Sequence, residues 1–287
     1  FRSVVLGFVI LAFGMKFLAN IDQAYQLQLI SREFYLAIWI VIFTLLGFYL
    51  LGKLKFSHDS DLKFISVPRL ALAMLSFAFV IYLIPGLFGA RLTTVSALLP
   101  PMENQSFNLT KNIKQHTTTM TYDENEVTLC GPSKYEDKFH LDYGLNGYYD
   151  YQEGMDCAEE LNMPVFLDFK GHTCANCKRV EAAVWSDPGV QELLKQYVII
   201  ALYTDDKTLL PENEWVTSDV DRKVKKTIGK KNLDLQIAKF GISTQPYYVL
   251  TDEEGNLLAE PMGYNLDIKE YKEFLRTGLE RFKEKTE

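Results

Sequence analysis

Long apolar stretches open the chain, and short alternating segments close it. "FYLAIWIVIFTLLGFYLLG" (34–52) runs 19 residues without a charge, and "LALAMLSFAFVIYLIPGLFGA" (70–90) runs 21. Each matches the roughly 20 helical residues that cross a bilayer core. Pro85 and Gly86 are tolerable at the end of a membrane helix. Two uncharged runs of this length argue against buried helices of a large soluble protein. "VVLGFVILAFGMKFLA" (4–19) is shorter and holds Lys16. It reads as a third span whose lysine reaches the interface, with a signal peptide flanked by Arg2 as the alternative. The chain begins at Phe1, so the expectation is a piece of a longer protein with further membrane helices upstream.

From residue 151 the pattern shortens. "YQEGMDCAEELN" suits a helix, and "PVFLDFK" (164–170) is a short apolar run of the kind that makes a buried strand. "CKRVEAAVW" suits a helix, and "SDPGVQELLKQ" (186–196) restarts one, with Ser186 or Asp187 as cap and Pro188 in its first turn. "YVIIALYT" (197–204) reads as a second strand and "LDLQIAKFG" as a helix ending at Gly241. "PYYVLTD" and "LLAEPM" read as two strands joined by "EEGN", and "DIKEYKEFLRTGLERF" as a closing amphipathic helix. Strands alternating with helices predict an α/β domain, a central mixed sheet flanked by helices. Residues 92–150 lack a sustained period and read as a tether, and 205–231 as a polar, Lys-rich insertion of no legible purpose. The division is a transmembrane region (1–91), an extracytoplasmic tether (92–150) and an α/β domain (151–287).

Charge sharpens this division. Residues 1–91 hold eight Lys/Arg and four Asp/Glu, which leaves 22 basic and 33 acidic residues and a formal charge of −11 for the rest. An acidic back half without a basic cluster argues against a nucleic-acid partner, because phosphate binding needs positive surface. The loop between the second and third spans carries Lys53, Lys55 and Lys63, with Arg69 at its end, whereas the preceding loop has Arg32 beside Glu33. By the positive-inside tendency the Lys-rich loop is cytoplasmic and everything after Arg91 lies outside.

The chemistry centres on "LDFKGHTCANCKRVEAAVW" (167–185), where Cys174 and Cys177 stand between a strand and a helix. A closed zinc site wants four ligands, and the other cysteines, Cys130 and Cys157, stand alone in sequence. His172 could add a third ligand for a transient soft metal; haem attachment would need His where Lys178 stands. A plain structural disulfide accounts for two cysteines but not for their address. At a helix N-terminus, unpaired N–H groups and the positive dipole end favour a Cys174 thiolate over the usual thiol near pKa about 8.5. Cys177, one turn further in, would resolve a mixed disulfide. Cys130 and Cys157 lie outside the membrane in this topology, where paired cysteines tend to close. They are expected to form a structural disulfide joining tether to domain, with two free thiols as the alternative.

"LDFKGHTCANCK" resembles the strand, loop and active site of thioredoxin-fold proteins, including an acid six positions before the first cysteine. The resemblance implies that Asp168 is buried beneath Cys177 and moves its proton. "STQPYYVL" resembles the loop whose cis proline faces the cysteine pair, which assigns Pro246 and Gln245 to the substrate groove, with Thr173 and His172 on its other side. The usual Trp before the first cysteine is replaced by Thr173.

With "LGFVILAFGMKFLAN" and "YLIPGLFGA" ahead of it, the whole resembles the carboxy-terminal part of DsbD-type thiol:disulfide interchange proteins. That resemblance implies a protein-disulfide reductase of the bacterial inner membrane whose last domain faces the periplasm. An upstream membrane domain, fed by cytoplasmic thioredoxin, would supply electrons. Disulfide isomerases and cytochrome c maturation proteins would receive them. It implies no cofactor beyond the Cys174–Cys177 disulfide and no metal. The membrane domain's own cysteine pair is not within residues 1–91. A tethered oxidase or isomerase, and a non-catalytic binding module with a static disulfide, are the competing expectations.

Overall fold

The computed structural model describes residues 2–25, 27, 29–56, 64–100, 105 and 130–286. Lys63 and part of the expected tether, 101–104 and 106–129, lie outside them. The chain divides into two compact units, one built on the apolar helices and one on the α/β segment.

The first unit contains α1 (Arg2–Ala24), α2 (Arg32–Leu50) and α3 (Val67–Leu83), the last running on as a 3₁₀ turn, Ile84–Phe88. All three are long and apolar enough to cross a membrane. Ser31 caps α2 by accepting from the Phe34 N–H, and Pro68 sits in the first turn of α3, where a missing N–H costs nothing. Between helices, Trp39 donates to Ala12 O at 3.1 Å and Ser76 to Phe43 O at 2.6 Å. Arg69, read from sequence as a topology-setting charge, also closes the end of α2 by donating to Leu50 O (2.6 Å) and Tyr49 O (2.9 Å). Ile10, Phe17, Met74 and Ile81 remain uncovered on α1 and α3.

The interval read as a tether is drawn into both units at its ends. Leu92, Val95 and Leu99 join the core of the helical unit, and Tyr35 donates to Leu98 O. Residues 130–150 belong to the α/β unit, where Phe139, Leu141, Leu145 and Tyr149 are core residues. Tyr148 exchanges backbone hydrogen bonds with Ile199 and Ala201, extending the sheet edge. Gly147 permits this approach, since a Cβ there would come 2.8 Å from Ile199 O. Aromatic burial and sheet pairing, not periodicity, thus join 130–150 to the α/β unit.

The α/β unit runs α4 (Tyr151–Leu161), β1 (Val165–Lys170), α5 (Ala175–Ala183), α6 (Pro188–Leu194), β2 (Val198–Tyr203), β3 (Val216–Thr217), β4 (Val224–Lys225), α7 (Ile228–Phe240), β5 (Tyr247–Thr251) and α8 (Ile268–Thr286). The main sheet has the order β2-β1-β5, with β1 parallel to β2 and antiparallel to β5. Every residue of β1 is buried, as expected of a strand covered on both faces. Successive side chains of a strand point to opposite faces, and this alternation sorts two cores. Val165, Leu167 and Phe169 pack with Met155 and Ala158 of α4 and with Leu235 of α7. Phe166 packs with Val180, Trp185, Val190, Tyr248, Tyr271 and Leu275 on the side of α5, α6 and α8.

Two expectations need correction. "LLAEPM" forms isolated bridges, Thr251–Leu257 and Tyr248–Met262, rather than a strand. Leu257 and Met262 pair with β5 in registers that differ by two residues, so the ladder is interrupted between them. Within the interval 205–231, β3 and β4 make a short antiparallel ribbon. Its last residues belong to α7, capped by Thr227 accepting from the Lys230 N–H.

Candidate functional site

Cys174 is the N-cap of α5, and its sulfur accepts a hydrogen bond from the Cys177 N–H at 3.1 Å. The two cysteines form a disulfide, with Cα atoms 5.3 Å apart. Cys174 is half-buried and Cys177 is buried. A sulfur that is both exposed to a partner and faced by helix-terminal N–H groups is the one whose thiolate is stabilised. Its neighbour is withheld from solvent.

The approach loop is held by two acids that sequence reasoning passed over. Asp205 accepts from the His172 N–H (2.8 Å), the Thr173 N–H (3.0 Å) and the Thr173 hydroxyl (2.8 Å). Gly171 leaves room for it, because a Cβ would sit 2.9 Å from Asp205 Oδ2. His172 is buried, stacks on Tyr203 with ring centroids 4.3 Å apart, and meets Asp206 Oδ2 through Nε2 at 2.8 Å. Burial alone would raise the Asp206 pKa; hydrogen bonds from His172 and the Thr208 N–H outweigh it and hold the carboxyl below its ordinary range. Thr173 is exposed. Asp205 and Asp206 come one residue after the end of β2, the strand beside β1, an adjacency visible only once the register is known.

Asp168 lies in β1, 1% exposed, on the side of the sheet that α5 covers. Neither of its carboxylate oxygens has a hydrogen-bond partner, and Lys170 Nζ stands 3.6 Å from Oδ2. Burial pushes its pKa up to about 7, with Lys170 pulling down and Glu181 pushing up. Lys170 forms an ion pair with Glu181 of α5 and lies over the rings of Trp185 and Tyr203 at 5.6 and 5.3 Å. Burial would lower the Lys170 pKa, but Glu181, Tyr203 and Asp168 hold it well above its usual value. The sequence signals for these two residues were a lysine two positions after Asp168 in an apolar strand and a glutamate one helical turn after Cys177.

The Gln245–Pro246 bond is cis, with Pro246 buried and Gln245 half-buried. Tyr247 is paired with Phe169, so Pro246 enters β5 at the end of β1 from which the cysteine loop departs. The register thus brings Cys174, Cys177, Asp168, His172, Thr173, Gln245 and Pro246 to one end of the sheet. Cys130 and Cys157 sit elsewhere, disulfide-bonded to each other against the α4 side. Among the described residues, no group of three or more His, Cys, Asp or Glu is arranged to hold a metal ion.

Residues 151–279 match the family model of a thioredoxin-like domain. The α/β unit is therefore a thioredoxin-like domain preceded by three apolar helices. Among solved structures, the chain is similar to one described as "DsbH Oxidoreductase", with 19% identity, a TM-score of 0.35, and coverage of 46% of this chain and 86% of that one. No curated protein sequence matches the chain. The thioredoxin-like domain, with a disulfide at its helix start, supports thiol–disulfide exchange as the general chemistry.

Proposed function

We propose that the protein is a membrane-anchored protein-disulfide reductase that passes electrons to extracytoplasmic disulfides through Cys174 and Cys177. The observation that carries this reading is the address of Cys174: half-buried, at the N-cap of α5, with the Cys177 N–H on its sulfur. In the reduced state the Cys174 thiolate attacks one sulfur of a partner disulfide. A mixed disulfide forms, and the first partner thiolate leaves and takes a proton from water. Asp168 accepts the proton of Cys177, whose thiolate then attacks Cys174. The second partner thiolate departs, and the Cys174–Cys177 disulfide is restored. Two electrons have moved from the dithiol to the partner. Gln245, Pro246, Thr173 and His172 flank the approach.

The three apolar helices supply the anchor, and the lysines of the loop before α3 favour an outer position for the domain, the periplasm of a bacterial inner membrane. In this reading an upstream membrane electron-transfer domain, supplied by cytoplasmic thioredoxin, recharges the pair, and periplasmic isomerases or cytochrome c maturation proteins spend its electrons.

The test is the reduction potential of the pair in the full chain in detergent, equilibrated against glutathione and dithiothreitol buffers with thiol alkylation as readout. A value near or below about −200 mV is expected of a reductant. A value near about −120 mV marks an oxidant and overturns the reductase reading. A pair that does not exchange at all makes the domain a binding module.

A further inference from the structure

The mechanism above leaves a buried charge unexplained. Lysine is rarely this inaccessible, yet the Lys170 side chain is 8% exposed in the central strand, facing Glu181 at 13% and Asp168 at 1%. A buried ion pair is weak evidence for stability, because desolvation offsets much of its attraction. Its position suggests another purpose. Glu181 follows Cys177 by four residues, which places both on one face of α5. Asp168 and Lys170 are two apart in β1, which places both on the face beneath α5. The ion pair thus joins the strand carrying the proposed base to the helix carrying the thiol that must lose a proton.

We propose that Lys170 is a positioning residue for the exchange reaction: clamped to Glu181, it keeps a fixed positive charge beside Asp168, so that Asp168 accepts the Cys177 proton near neutral pH. The inference rests on the proposed dithiol chemistry and adds a residue to it. Asp168 has no hydrogen-bond donor to stabilise its ionised form; the ammonium at 3.6 Å takes that part. The other groups facing the pocket are Tyr203 of β2, Tyr248 of β5 and Tyr271 of α8. Burial raises Tyr248 and Tyr271 well above their usual range, so both stay neutral at working pH. His172 reaches the pocket indirectly, by stacking on Tyr203.

Cys177 Sγ–H gives its proton to Asp168, its electron pair forms the bond to Cys174 Sγ, and the mixed-disulfide bond breaks towards the partner thiolate. Lys170 and Glu181 keep their charges throughout. The pocket changes by one proton, and a single fixed cation decides whether that is favourable.

The experiment is a single-turnover reaction of the reduced full chain in detergent with oxidised glutathione, quenched with acid, alkylated and weighed. Decay of the Cys174–glutathione mixed disulfide isolates the Cys177 step, measured from pH 5 to 9. The expected profile rises through a midpoint near 7 that is lost in Asp168→Asn. Lys170→Met moves the midpoint up by about one unit or more, and Glu181→Gln moves it down. The double variant falls between them, and Lys170→Arg stays close to the parent. Opposite shifts from the two halves of one ion pair are not what general damage to the fold produces. An unchanged midpoint in Lys170→Met and Glu181→Gln overturns the inference, as does a midpoint that survives Asp168→Asn and therefore belongs to another group such as His172. If no mixed disulfide ever forms at Cys174 in the parent, it is the exchange reading itself that fails.

Discussion

Cys174–Cys177 closes across 3 residues at the start of a helix, whereas Cys130–Cys157 joins residues 27 apart, one of them inside α4. Cys157 is surrounded by Met155, Ala158, Val165 and Leu167 on the apolar side of the sheet. Cys177 lies on the opposite side, the one that also holds Asp168, Lys170 and Glu181. The bond is chemically the same in both places, and its surroundings set its use. A helix N-terminus faces one sulfur of the pair and favours its thiolate, and the strand that α5 covers carries a buried carboxylate, Asp168. An apolar setting offers neither, and a long closed loop makes the bond a constraint on the unfolded chain.

The sharpest way to break this contrast is to remove one sulfur. Cys174→Ser is expected to abolish mixed-disulfide capture and turnover of a model disulfide, whereas Cys130→Ser with Cys157→Ser leaves both intact. Loss of turnover in the second variant would erase the distinction.

Asp168→Asn comes next. Folding raises the Asp168 pKa to about 7 from an unfolded value of 3.8. The folded state therefore binds more protons between those values, and stability falls as pH rises through that window. A shift of about three units corresponds to about 4 kcal/mol at most. Asp168→Asn is thus expected to stabilise the domain above pH 7, by a few kcal/mol in denaturant titrations, and to be close to neutral near pH 4, while slowing exchange. A variant less stable than the parent at pH 8 would contradict the buried-charge account.

Breaking Cys130–Cys157 is expected to lower stability by about 3 kcal/mol, from the entropy its loop regains on unfolding. The reduction potential of Cys174–Cys177 should not change, and a shift in it would show the two bonds to be coupled. The smallest effect is expected from Asp205→Ala, which releases three hydrogen bonds around His172 and Thr173. About 1–3 kcal/mol of local stability is at stake. Hydrogen exchange at the His172 and Thr173 amides should speed up while the sheet amides stay protected.

Much of this was legible in one dimension. A run of 19 uncharged residues states its own length against a bilayer. The strand "PVFLDFK", the cysteine spacing and the carboxylate six residues earlier lie within a single short segment, so they could be read together. That 130–150 pack on the domain was not legible, because Phe139, Leu145 and Tyr149 carry no period; they are buried by elements remote in sequence. "LLAEPM" reads as a strand because its side chains suit one, but its two bridges to β5 fall in different registers, which no side-chain pattern states.

By itself the sequence determined the apolar spans, the order of most strands and helices, and the cysteine pair at a strand-to-helix junction, because each depends on residues close together in the chain. Only tertiary structure decided that Lys170 faces Glu181, that Asp205 and Asp206 hold the loop before Cys174, and that Cys130 meets Cys157. Those pairings depend on which strands become neighbours and in what register. A shift of one residue in β1 would turn Asp168 and Lys170 to the other face of the sheet, away from the cysteine helix.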